Sequence, residues 1–155
     1  MGSLKGMIVK LDTKNISWAG TDDHLWIGVF GKGGGREFCL DVRHFDDFEP
    51  DAYVKYWFGN VWDGAELSGA RKPWQSQATE NWNNPSVDDV DLDAVEYVYL
   101  RKSGTRRSDR DDAYVMDDVT VILYGTSPQK RVFQRTKDIR LSNESGLQVW
   151  LPEIK

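Results

Sequence analysis

Apolar and polar side chains alternate along most of this chain, and that period of two is the feature that most limits its fold. Successive side chains of a β-strand point to opposite faces, so the alternation is typical of strands with one buried face. The pattern predicts eight strands, at Met7–Leu11, His24–Phe30, Arg36–Val42, Ala52–Phe58, Val95–Lys102, Tyr114–Tyr124, Arg131–Gln134 and Gln148–Leu151. We therefore expect an all-β protein, an eight-stranded antiparallel β-sandwich.

Glycine-rich turns separate the predicted strands. The run Gly31–Gly35 can supply the positive φ angles of a hairpin between the second and third strands. Phosphate-binding loops are also rich in glycine, but their Gly-Lys-Ser/Thr ending and following helix are missing here. The run therefore predicts a hairpin turn.

A length of 155 residues predicts a single domain over residues 1–155, interrupted by a long connection at about 59–94. Connections this long are uncommon without structure or function of their own. Trp62, Trp74 and Trp82 lie among its polar residues. They could contact a membrane interface or a sugar ring, or they could pin the connection onto the sandwich. Four other tryptophans, Trp18, Trp26, Trp57 and Trp150, fall on or beside strands and are expected in the core.

Composition restricts the classes of function. The net charge of -5 argues against bulk nucleic-acid binding, and Cys39 is the only cysteine, which permits a reducing compartment. No 18-residue apolar run is present, so we expect no transmembrane helix. A cytoplasmic protein, peripheral to a membrane if it docks there, fits best, although a cleaved secretion signal would leave no trace.

Catalytic motifs are absent from the sequence. His24 and His44 are the only histidines, and neither lies in a motif with Cys39 or a serine. A site must be argued from residues whose roles converge, and none converge here. We therefore expect a protein that is not an enzyme.

One segment is strongly basic, with a net charge of +4 over ten residues of an acidic chain. Its bases are Arg101, Lys102, Arg106, Arg107 and Arg110, against the single acid Asp109. Such polarity predicts a docking edge for an anionic partner, either a lipid headgroup or an acidic protein. The alternative is a solvated hairpin whose arginines pair with neighbouring aspartates.

Several motifs together resemble the PLAT (lipoxygenase homology) domain family. They are the turn and strand Ala19–Ile27, the pair Phe38–Asp41 and Asp46–Glu49, and the later strands Val95–Leu100 and Asp112–Val121. The resemblance covers most of the chain from Ile8 to Tyr124. It implies an antiparallel sandwich that serves as a targeting module beside lipases, lipoxygenases and membrane proteins.

The resemblance also implies a calcium site. Carried over to this sequence, the family's ligands are Gly20, Thr21, Asp22, Asp46 and Asp47. Such oxygens suit Ca²⁺, but Arg101 and Lys102 stand where the family supplies a further oxygen ligand. Another carboxylate could complete the site, or one of these bases could pair with the acids and replace the ion. In the plainest interpretation the acids only cap turns.

We expect a non-catalytic module that docks to a membrane surface or a protein partner through loops at one end, with or without calcium. The leading alternative is a carbohydrate-binding module that uses exposed tryptophans, and a third is a scaffold subunit. Sugar stacking predicts a planar strip of exposed tryptophan on a sheet face. Lipid docking predicts aromatic side chains at loop tips beside the basic segment, and a scaffold predicts a flat apolar surface.

Overall fold

The described part of the chain forms ten β-strands in two sheets. The computed structural model describes residues 2–21, 23–40, 48–67, 75–76, 83–87, 90–104 and 113–155. The strands are β1 Gly6–Thr13, β2 Leu25–Gly31, β3 Gly34–Cys39, β4 Tyr53–Gly59, β5 Gln75–Ser76, β6 Val95–Lys102, β7 Tyr114–Tyr124, β8 Lys130–Leu141, β9 Gln148–Trp150 and β10 Glu153–Ile154. Short 3₁₀ turns lie at Gly64–Leu67 and Pro85–Val87. No helix in these residues is long and apolar enough to cross a membrane.

The strands are arranged as a sandwich. One sheet has the order β10-β8-β7-β1-β4-β5 and the other β3-β2-β6-β9. Neighbouring strands are antiparallel, except that β5 is parallel to β4. The predicted all-β sandwich is therefore confirmed, with ten strands instead of eight.

The register of β1 defines the two ends of the sandwich. Its first residue, Gly6, pairs with Gly59 and Tyr124 at the ends of β4 and β7, whereas its last, Thr13, pairs with Met116 near the start of β7. Four connections therefore leave and re-enter the strands at the end where β1 finishes, and their described residues are 14–21, 23–24, 40, 48–52, 103–104, 113 and 142–147. We call the described part of these connections the loop end.

The core lies between the sheets, because each strand turns alternate apolar side chains inward. Leu11, Leu25 and Leu100 are fully buried in one continuous cluster with aromatic side chains. Within it the rings of Phe48 and Tyr114 are 5.8 Å apart in an edge-to-face arrangement. Each fully buried side chain of this kind contributes about 1.5–3 kcal/mol, so the inward positions determine the register.

Turn chemistry acts as predicted in the glycine run. The last residue of β2, Gly31, pairs with Gly34 at the start of β3, which leaves the two residues Lys32 and Gly33 in the turn. Gly34 has φ of 103°, a conformation that residues with a Cβ rarely adopt. The predicted hairpin is confirmed.

None of the four tryptophans expected in the core is buried: Trp26 and Trp57 are partly exposed, and the other two are on the surface. Trp18 is 57% exposed and Trp150 is 48% exposed. Trp18 lies in the connection after β1, and Trp150 occupies an outward position of β9, so neither side chain faces the space between the sheets.

The long connection is attached to the sandwich through an asparagine. The buried Asn83 side chain accepts a hydrogen bond from the Cys39 N–H at 2.8 Å and donates one to the Cys39 carbonyl at 3.1 Å. A single amide thus continues the hydrogen-bonding pattern of β3, beside which no strand of the described residues lies on that side. Cys39 is buried, as expected. Trp74 and Trp82 lie outside the described residues.

Replacement of Asn83 by alanine tests this attachment. The Asn83→Ala variant leaves two buried main-chain groups of Cys39 without these partners, so its free energy of unfolding should fall by about 2–4 kcal/mol. Urea denaturation followed by tryptophan fluorescence measures the change. The exposed Asn60→Ala variant is the control, and equal stability of the two variants would contradict the attachment.

Candidate functional site

Main-chain hydrogen bonds hold the connections of the loop end together. The Ser103 N–H donates to the His24 carbonyl at 2.9 Å, and the Lys102 N–H donates to the Leu147 carbonyl at 2.8 Å. A third bond joins Thr21 to the carbonyl of Phe48. The described parts of all four connections therefore form one continuous surface.

Two of the five predicted calcium ligands lie in the described chain. Thr21 is buried, and its hydroxyl oxygen accepts a hydrogen bond from the Asp23 N–H at 3.1 Å. At Gly20 a Cβ would lie 2.6 Å from the Phe48 carbonyl oxygen, so the close approach of two connections requires glycine. Asp22, Asp46 and Asp47 lie outside the described residues.

Lys102 is inside the protein, which differs from the predicted surface position. It occupies an inward position of β6, after Val98 and Leu100, and its side chain is 0% exposed. Its ammonium donates to Asp23 Oδ2 at 2.6 Å and to the Ser103 carbonyl at 3.0 Å. A buried charge needs such partners, because burial without them would cost several kcal/mol.

These contacts bear on calcium binding. A carboxylate and a main-chain carbonyl are the oxygen types that Ca²⁺ prefers, and here an ammonium group already contacts both. A second cation at the same oxygens would be repelled. Within the described ranges, no group of three or more His, Cys, Asp or Glu side chains is placed to hold a metal ion. The predicted calcium site itself stays a prediction, because its carboxylates Asp22, Asp46 and Asp47 lie outside the described residues.

Arg101 points the other way, onto the outer face of the four-stranded sheet. Its Nε and NH2 groups donate to the two carboxylate oxygens of Glu37 at 2.7 and 3.0 Å. The guanidinium also lies 5.4 Å from the centre of the Trp26 ring. Arg101 therefore binds Glu37 on the sheet and does not contact Asp23.

The Glu37–Arg101 ion pair affects the pKa values of Glu37 itself and of the adjacent Tyr99. The hydrogen bonds from Arg101 hold the pKa of Glu37 below its usual value, against the opposing effect of burial. Burial, together with the nearby Glu37 carboxylate, raises the pKa of Tyr99 to about 12. The Tyr99 hydroxyl donates to Glu37 at 3.1 Å, so the phenol stays protonated at neutral pH.

Aromatic side chains cover the same sheet face. We define the aromatic face as Trp26, Phe30, Tyr97, Tyr99 and Trp150. The Tyr97 and Trp150 rings meet edge to face at 4.9 Å, while the Phe30 and Tyr99 rings are nearly parallel at 5.8 Å. The Tyr99 ring lies across Gly28, where a Cβ would be only 2.1 Å from Tyr99 Cζ. Aromatic residues at alternate positions of β2 and β6 could have indicated this face from the sequence, but it was not predicted.

Trp18 is the exposed aromatic side chain of the loop end. The Arg140 guanidinium lies over its ring, 5.5 Å from the ring centre. Arg140 comes from the end of β8, so the pair joins two of the structural elements that meet there. Arg106, Arg107 and Arg110 lie outside the described residues, but the segment that carries them is flanked by Gly104 and Ala113 at this same end.

Trp62 lies at the opposite end of the sandwich. Its ring meets Tyr124 edge to face at 5.3 Å, and the Lys130 ammonium is 5.8 Å from its centre. It lines an open cavity of about 490 Å³ with residues such as Lys5 and Ser127. Packing against Tyr124 agrees with the interpretation that Trp62 pins the long connection onto the sandwich. Trp62 is not part of the loop end.

Comparison with known proteins supports the fold. No protein-family model and no curated protein sequence matches the chain. Alpha toxin from Clostridium absonum is similar over 99% of this chain and 32% of its own, with 17% identity and a TM-score of 0.60. Clostridium perfringens alpha-toxin has 19% identity and a TM-score of 0.58 over the same shares.

Coral 8R-lipoxygenase is similar over 96% of this chain and 17% of its own, with 17% identity and a TM-score of 0.57. That enzyme is described as activated by calcium via a C2-like domain. The chain thus spans about one third of the toxins and one sixth of the lipoxygenase. The predicted PLAT-type fold is confirmed.

The Glu37–Arg101 pair predicts a specific pH dependence. Because the folded pKa of Glu37 lies below its usual 4.5, the pair stabilises the protein fully above that pH. The contribution is lost as pH falls through the folded pKa. Thermal unfolding between mildly acidic and strongly acidic pH should therefore show a steeper loss for the wild type than for Glu37→Gln. Parallel profiles would contradict the prediction.

Proposed function

We propose that this chain is a non-catalytic binding module that docks onto an anionic membrane surface through the loop end. The observation that carries the proposal is Trp18, 57% exposed at the loop end beneath the guanidinium of Arg140. Tryptophan is favoured at the boundary between water and lipid because its ring is apolar and its N–H is polar. An adjacent arginine adds attraction to phosphate headgroups.

The basic segment begins at the same end of the sandwich as Trp18 and Arg140, which also supports docking through that end. The basic segment Arg101–Arg110 leaves β6 at the loop end, and β7 begins again at that end with Tyr114. Of its bases, Arg101 and Lys102 are engaged within the protein, which leaves Arg106, Arg107 and Arg110 as the proposed headgroup contacts. The tryptophan would enter the interface, while these arginines would set the orientation.

The proposal includes neither catalysis nor calcium. The similar toxin and lipoxygenase chains are matched over a minor part of their length, so their activities are not carried over to this chain. Calcium is left out of the docking step because the Lys102 ammonium already contacts the Asp23 carboxylate and the Ser103 carbonyl at this end.

Vesicle co-sedimentation tests the docking. Wild-type protein should sediment with vesicles of phosphatidylserine and phosphatidylcholine, and less with phosphatidylcholine alone. Neutralising Arg106, Arg107 and Arg110 to glutamine should weaken binding by about 100-fold, since each base near an anionic surface contributes about 1 kcal/mol. Trp18→Ala should weaken it several-fold. Trp150→Ala, an exposed tryptophan of the aromatic face, is the matched control. Equal binding by all four proteins would contradict loop-end docking.

Carbohydrate binding is the second candidate, and the aromatic face favours it. Tyr97 and Trp150 are each 48% exposed and adjacent on one sheet face. Glu37 and Arg101 place hydrogen-bonding groups beside the rings, an arrangement that suits a ligand with apolar and hydroxylated sides. Trp150 stands nearly perpendicular to Tyr97, so the rings do not form the planar strip that sugar stacking predicts.

Polysaccharide pull-down separates the two candidates. If the aromatic face binds sugar, the protein should be retained on one of cellulose, xylan or chitin. Trp150→Ala should then reduce retention by at least about threefold through loss of a ring contact. Trp18→Ala is the control and should bind as the wild type does. Absence of retention on all three polymers would count against this candidate.

A further inference from the structure

We propose that the ammonium of Lys102 is a built-in cation of the loop end and takes the place of the calcium ion that the PLAT resemblance implies. The inference concerns how the loop end is held together, and it does not depend on which partner docks there. It is carried by the position of Lys102, by the atoms that its ammonium contacts and by the segment to which those atoms belong.

A lysine can occupy the position of Lys102 only if nearby groups offset the cost of burying its charge. In β6 the inward side chains are Val98, Leu100 and then Lys102, and the residue opposite Lys102 in β2 is the buried Leu25. An apolar residue would continue this pattern. Burying an ammonium instead costs several kcal/mol, which nearby oxygen atoms must offset.

The oxygen atoms that offset this cost are of the calcium-binding type. Asp23 supplies a carboxylate oxygen at 2.6 Å, and Ser103 supplies a main-chain carbonyl oxygen at 3.0 Å. Asp23 belongs to the turn Ala19–Asp23, the segment to which the resemblance assigns calcium ligands. Ser103 belongs to the turn after β6, where the resemblance places the opposing ligand. The ammonium therefore joins the same two segments that an ion would join.

The contact also organises the turn. The Asp23 N–H donates to the Thr21 hydroxyl, and the Thr21 N–H donates to the Phe48 carbonyl. Because Lys102 belongs to β6, the contact of its ammonium with Asp23 links β6 to the residues that make these two bonds. Because the cation is covalently part of the chain, the described loop end should keep its structure when free calcium is removed.

Calcium titration of the wild type is the first test. We expect the midpoint of thermal unfolding to be the same in excess chelator and in millimolar CaCl₂, with no binding heat in calorimetry. A higher midpoint in calcium, accompanied by binding heat, would overturn the proposal, since it would show that the ion and Lys102 do not compete for one role.

Substitution of Lys102 is the second test. Lys102→Met leaves the Asp23 carboxylate without its cation, so the midpoint should fall by about 10 °C, with or without calcium. Lys102→Asp supplies an additional carboxylate, so the midpoint should fall in chelator and recover at least partly in millimolar CaCl₂. Lys130→Met, at an exposed lysine whose ion pair with Asp63 is 3.5 Å long, is the control and should change little.

The outcomes separate the possible roles of Lys102. A Lys102→Met midpoint equal to that of the control would show that the contact contributes nothing, and a Lys102→Asp variant indifferent to calcium would show that the ammonium does not occupy an ion's position. Either result would overturn the proposal. These two readouts apply to variants that fold. If neither variant folds, the wild-type titration decides: equal midpoints without binding heat support the proposal, and a higher midpoint in calcium overturns it.

Discussion

Burial of alternate side chains between two sheets is the constraint on which the rest of this structure depends. β1 has hydrogen-bonded neighbours on both sides, β4 and β7, and its inward residues Met7, Val9 and Leu11 are almost completely buried. A slip of one residue would turn all of them outward. Because that register is fixed, the positions where strands begin and end are fixed as well. The meeting of four connections at the loop end follows from it.

The same constraint explains how much of the fold the sequence predicts. β6 and β7 have the predicted bounds, Val95–Lys102 and Tyr114–Tyr124. β8 continues to Leu141, beyond the predicted end at Gln134. Most of its second half is polar, so no alternation indicated a strand there, and pairing with β7 holds it in place. β5 and β10 have two residues each, which is too short for any periodicity to appear.

The site was less accessible to sequence reasoning than the fold. Hydrogen bonds join the turn Ala19–Asp23 to the end of β6 through Asp23 and Lys102. The neighbouring sequence offers Asp22 as an equal candidate for the partner of Lys102. The inward position of the Asp23 carboxylate depends on a turn held by Thr21 and Phe48, a tertiary contact. Likewise, Trp18 and Trp150 could be assigned to surface or core only from the direction of their side chains.

Asn83 limits the ways in which another molecule can approach. Edge strands with unpaired N–H and C=O groups can recruit a strand from a second chain, a common route to peptide binding and to aggregation. In β3 the main-chain groups of Cys39 are already taken by the Asn83 amide. Strand addition at that point would first have to displace a buried side chain. At this point of β3, recognition of a partner would therefore depend on side chains instead of main-chain pairing.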